Sequence, residues 1–159
     1  DAQAFGFLGD GPDAAAIAQE AKSLGISEDC VFLGFISDRP LLMALYRQAD
    51  LLVFPSIYDN APMVLREAAT MGTPGVLVKG SCAAEGVTDG DNGFICADES
   101  AEAIASAILR ALPDAEAVGA RARDTIPIRW STIMRDVVSE YERLIRSGCY
   151  PGRGADRTD

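Results

Sequence analysis

The chain has 159 residues, 24 acidic against 14 basic side chains and no histidine, giving a formal net charge of −10. That acidity argues against nucleic acid and anionic membrane as partners of this segment, because both require clustered Lys and Arg. Without histidine, Ser-His and Cys-His catalysis and most zinc chemistry are excluded, and no metal site is expected.

Hydrophobic residues make up 48% and charged residues 24%, the balance of an ordinary globular domain. A chain of this length forms one domain and buries roughly 70% of its unfolded surface. Cys30, Cys82, Cys96 and Cys149 are scattered without a CxxC pair, which reads as reduced thiols of a cytoplasmic protein. The apolar runs are too short to span a bilayer. The chain opens "DAQAFGFLGDG" without Met and almost at once in a strand, as a fragment of a longer protein would.

In chain order, "AFGFL" predicts a strand over 4–8, closed by the turn "GDGP". Residues 13–24 follow as a helix, with Asp13 as N-cap and Gly25 as stop. "CVFLGF" predicts a strand over 31–35, "DRPLLMALYRQA" a helix, and "DLLVFPS" a buried strand over 51–54 ending at Pro55. A helix over 61–71 is stopped by Gly72, and short strands are expected at 75–78 and 93–96. Helices close the pattern at 100–111 with Ser100 as cap, around 114–124, and at 129–146, where Trp130, Ile133, Val137, Tyr141 and Leu144 recur at helical spacing. The tail, 147–159, is expected to be flexible. Strand-helix alternation with continuously apolar strands means an α/β fold, a doubly wound parallel sheet of Rossmann-like type. Ligands of such sheets bind at the carboxyl ends of the strands, so the loops 9–13, 34–39, 55–62, 79–86 and 96–100 are the places to search.

"GDGPDA", with Gly9 and Gly11, fits G-x-G-x-x-[GA]. Pro12 removes an amide where a phosphate would sit, and no acid ends the second strand until Asp38. The segment therefore reads as a tight turn with incidental ligand contact. The start of the 61–71 helix is more informative. Its first amides lack intrahelical acceptors and carry partial positive charge, so those of Met63, Val64 and Leu65 suit a diphosphate. Asp59 precedes this helix and can reach hydroxyls in the cleft, while Glu67 lies almost two turns in. Taken alone, the residues leave two readings open. Asp59 and Glu67 bind a ligand, or Asp59 is a loop acid favoured by the helix dipole and Glu67 pairs with Arg66 or Lys79.

"VFLGFISD", "LYRQADLLVFPSIYDNAPMVLREAATMGTP" and "AEGVTDGDNGFI" together resemble the C-terminal, donor-binding domain of GT-B-fold retaining glycosyltransferases of family 4 (glycosyl transferases group 1). The likeness runs from about Leu8 to Tyr141. Its most specific part is the E-x7-E pattern, here Asp59-x7-Glu67, followed by E-A-x-x-x-G-x-P over Glu67–Pro74.

The resemblance implies a nucleotide-sugar-binding domain over 1–146. Its parent enzyme would transfer a hexosyl group from UDP or GDP to a saccharide acceptor, with retention and without cofactor or metal. Asp59 would hold the donor sugar and Glu67 the ribose diol. Asn60, Ala61, Met63 and Val64 would lie along the diphosphate, and Gly34, Phe35 and Ile36 against the base. The sequence departs from the family at Asp59, where Glu is usual, at Pro62, where Gly is usual, and at "GSCAAEG", which replaces G-G-x-x-E and puts Ser81 and Cys82 at the site while keeping Glu85. The family's first strand of this domain, a phosphate-neutralising Arg and Lys, and the acceptor-binding domain would all precede this sequence. That strand is central in the order 3-2-1-4-5-6, so either it stands in the longer protein, or the remaining strands close the gap or recruit a second chain. The alternatives are a sugar-nucleotide 2-epimerase of the same fold and a non-catalytic nucleotide-binding module.

Overall fold

A computed structural model describes residues 4–60 and 62–147. Ala61, Cys149 and most of the tail expected to be flexible lie outside the described residues. Among the described residues, five strands and six α-helices follow in the order β1 Phe5–Leu8, α1 Ala14–Ser23, β2 Cys30–Gly34, α2 Arg39–Gln48, β3 Leu52–Phe54, α3 Met63–Met71, β4 Gly75–Val78, β5 Phe94–Cys96, α4 Ala101–Ala111, α5 Ala115–Thr125 and α6 Trp130–Arg146. All strand pairs are parallel. Each expected strand and helix is present within two residues of its expected bounds. Three short 3-10 turns, at Ser27–Asp29, Cys82–Ala84 and Leu112–Asp114, carry no periodicity and were not foreseen.

The strands form two sheets. β1 pairs with β2, setting Phe5 opposite Cys30 and Phe7 opposite Phe32, with a register shift before Leu8. β3, β4 and β5 pair in that order, with Leu52 opposite Gly75 and Val76 opposite Phe94. The break falls between β1 and β3, where the resemblance places a further strand. β1 and β3 do not pair with each other, and each keeps one edge unpaired among the described strands.

The core belongs to the three-stranded sheet. Every residue of β4 is buried, and its side chains alternate between two apolar clusters as the pleat dictates. Val76 and Val78 pack with Phe94, Cys96, Ala107, Ala111 and Val118, while Leu77 packs with Leu65 and Ala83. Gly72 ends α3 in the left-handed conformation, at φ 88°. Any side chain at Gly119 on α5 would collide with the Gly72 carbonyl, so this glycine permits the close crossing of α5 over the end of α3. The two-stranded sheet is far more open. Phe7 and Phe32 stack with ring centroids 4.8 Å apart, yet both remain exposed. α6 forms as its periodicity requires but buries no residue. Among the described residues, no helix is long and apolar enough to cross a membrane.

Candidate functional site

The loops leaving β2 and β3 carry most of the expected ligand contacts, and helix starts shape both. α2 begins after Asp38, whose extended backbone (φ −73°, ψ 102°) lets its carboxylate accept from the Leu41 amide at 3.2 Å. α3 begins after Pro62, which offers no side-chain cap. The first amides of α3, at Met63, Val64 and Leu65, therefore have no acceptor within the helix. Pro62 is buried and Met63 exposed, while Asp59 and Asn60 stand exposed just before this terminus.

Glu67 lies on the side of α3 that faces α2. Its Oε1 accepts from Arg39 Nη1 at 2.8 Å, with the Glu67 side chain 14% exposed and that of Arg39 63%. Neither Arg66 nor Lys79 is the partner. Arg39 is the first residue of α2, so the pair ties Glu67 to the start of that helix. Tyr46, buried on α2, has its phenol pushed up, first by burial and then by the Glu67 charge, against a smaller opposing effect of Arg39.

Gly9 and Gly34 also come together. The Gly9 amide donates to the Gly34 carbonyl at 2.8 Å, joining the loops after β1 and β2. Both glycines hold positive φ, at 124° and 64°. Gly11 instead accepts from the Ala14 amide at the start of α1, as a tight turn would. Beyond Gly34, Phe35 projects with 73% exposure, while Ile36 is half-buried.

On the other side of α3, a cleft is lined by Asn60, Pro62, Leu65, Cys82, Glu85 and Gly86, and closed by Thr125 at the end of α5 and by Ile126 and Ile128 beyond it. Cys82 and Glu85 meet this cleft as expected. Ser81 does not, because its hydroxyl turns back to the Val78 carbonyl at 2.8 Å and is buried there. Thus the candidate residues fall on two flanks of α3: Glu67 meets Arg39 of α2, while Asn60 and Pro62, just before the helix, share the cleft with Glu85. The sequence reading missed Arg39 and the residues after α5. Arg39 did leave a signal: a cation at a helix N-terminus opposes the dipole and so calls for a partner elsewhere.

Among the described residues, no three His, Cys, Asp or Glu side chains form a metal-binding group. Cys30, Cys82 and Cys96 are free thiols.

The glycosyl transferases group 1 family matches residues 3–125. N-acetyl-alpha-D-glucosaminyl L-malate synthase of Bacillus anthracis is 29% identical over 140 residues, covering 86% of this chain and 35% of the relative. The GDP-mannose-dependent alpha-(1-6)-phosphatidylinositol dimannoside mannosyltransferase of Mycobacterium tuberculosis is 36% identical over 100 residues, 63% of this chain and 25% of the relative. Among solved structures, Anabaena Alr3699/HepE in complex with UDP superposes with a TM-score of 0.73 at 25% identity, over 89% of this chain and 41% of that one. The chain spans about a third of the length of the first curated relatives it matches. A match over most of its length, on the α/β fold of a GT-B domain, means that the chain belongs to the glycosyl transferases group 1 family.

Proposed function

We propose that the chain is the donor-binding part of a longer glycosyltransferase, one that moves a hexosyl group from a nucleoside-diphosphate sugar to a saccharide acceptor with retention. One arrangement carries this reading. The start of α3, where Pro62 offers no side-chain cap, lies between exposed Asp59 and Asn60 on one side and Glu67, paired with Arg39 at the start of α2, on the other. A diphosphate suits the first amides of α3, at Met63, Val64 and Leu65, where partial positive charge and donors coincide. Glu67 would accept from the ribose hydroxyls and Asp59 from the sugar. The base would lie along Gly34, Phe35 and Ile36, with Gly9 bracing Gly34.

The names of two relatives support the donor class: one is a GDP-mannose-dependent transferase and another was solved with UDP. In the step proposed, the sugar C1–O bond to the diphosphate breaks and a C1–O bond to the acceptor hydroxyl forms on the same face. The hydroxyl proton goes to the departing diphosphate oxygen. Retention rests on the likeness of Asp59-x7-Glu67 to retaining enzymes. The reading requires neither metal nor cofactor, gives acceptor binding to a domain outside this chain, and places the protein in the cytoplasm on the strength of its scattered thiols.

A thermal-shift panel of UDP- and GDP-sugars and their free nucleoside diphosphates on the full-length protein tests the reading. Ligand at about a hundred times Kd adds about 2.7 kcal/mol, enough to raise Tm by several degrees. One nucleotide series should shift the melt, with the free diphosphate nearly as effective as its sugar form. A folded protein that no member of either series stabilises would contradict the reading.

A further inference from the structure

We propose that Arg39 is a positioning residue for nucleotide binding, holding the Glu67 carboxylate by one oxygen and leaving the second to accept from ribose hydroxyls. The inference rests on the reading of Glu67 as the ribose ligand. It starts from a carboxylate with 14% of its side chain exposed, whose ion-pair partner comes from another helix and 28 residues away in sequence. A carboxylate in that setting loses hydration and needs a compensating charge. Arg39 supplies it through a single contact, Nη1 to Oε1 at 2.8 Å.

The placement of Arg39 is itself prepared. Asp38 caps α2 through the Leu41 amide, and Pro40 occupies the first turn, where its fixed φ suits the helix. Arg39 thus leaves a backbone whose direction is fixed on both sides. The site is costly for a cation, since the positive end of the α2 dipole lies there. A helix built for stability alone would carry an acid at this position. A guanidinium gains by standing there only if it serves a charge across the gap, and Glu67 is that charge. A plain strut would act on fold stability alone and would leave the preference for a ribose diol untouched.

The test compares UDP and GDP with their 2′,3′-dideoxy counterparts in the full-length protein, as wild type, Arg39→Gln, Arg39→Lys and Glu67→Gln. Wild type should prefer the ribose form by roughly tenfold or more, the effect of charge-assisted bonds to a diol. In Arg39→Gln the preference should shrink to within about threefold while affinity for the dideoxy form stays at the wild-type level, and Arg39→Lys should restore part of it. A strut would alter the melting temperature and leave this ratio unchanged. If Arg39→Gln keeps the wild-type ratio, the positioning role is wrong. Equal losses for both ligands also overturn it, since Arg39 would then serve the phosphates or the fold. If wild type itself shows no ribose preference, the assignment of Glu67 fails first.

Discussion

Glu67 and Asp59 differ in setting, and the difference separates their expected roles. Glu67 is largely enclosed and pairs with Arg39 of another helix, whereas Asp59 is exposed in the loop before α3. Glu67→Gln keeps the volume and removes the charge. Isothermal titration of the full-length protein should then show free nucleoside diphosphate weakened by roughly ten- to a hundredfold, or about 1.5–3 kcal/mol. The Arg39 left behind is well exposed, so water takes over its solvation and stability should change by about 1 kcal/mol or less. Asp59→Asn should leave the free diphosphate binding as in wild type and reduce discrimination among sugar nucleotides. Stability lost in Glu67→Gln with nucleotide affinity intact would make the Arg39 pair a fold contact. Asp59 and Glu67 stand out as candidates in the sequence because their spacing from the P-S strand end and the E-A-x-x-x-G-x-P run is local. The partner of Glu67 was not, since Arg39 is 28 residues away and meets it only after α2 packs beside α3.

Asp13 is the N-cap expected from the sequence, before "AAAIAQ", and Asp38 stands at the matching place before "RPLLMA". Only Asp38 acts as one. Its backbone is extended and its carboxylate accepts from Leu41, whereas Asp13 is already helical (φ −86°, ψ −4°) and makes no capping bond. Urea unfolding should therefore show Asp38→Ala losing about 1 kcal/mol and Asp13→Ala changing by no more than about 0.5 kcal/mol. Equal losses would contradict the assignment. Asp38→Ala should also weaken nucleotide binding, because the turn that aims Arg39 loosens with it. At this scale the sequence was informative for a physical reason. Strand and helix periods, Ser100 as a working cap and Gly72 as a left-handed stop are written in neighbouring residues. The 3-10 turn at Cys82–Ala84 was not, and it turns Ser81 inward to Val78 while Cys82 stays at the cleft.

Across the whole molecule, burial is uneven. β4 is closed on both faces by the helices and strands around it, while every residue of β1 is exposed and α6 buries none of its apolar residues. Parallel strands normally have both faces covered, so the exposed β1–β2 pair and the bare face of α6 are surfaces left unpaired within the described residues. The break lies where the resemblance places its central strand, a gap that the sequence alone left open to closure by the remaining strands, and the Arg39–Glu67 bridge between α2 and α3 was not foreseen. The proposed nucleotide site lies along that bridge, with base contacts from the β1–β2 side and phosphate and sugar contacts from the β3–β5 side. A ligand bound there must order both sides together. Hydrogen–deuterium exchange of the full-length protein, with and without the nucleoside diphosphate that stabilises it, reads each side separately. The account predicts slowed exchange in peptides covering both Gly34–Asp38 and Asp59–Glu67. Slowing in only one of these segments, or only in the cleft at Thr125–Ile128, would contradict it.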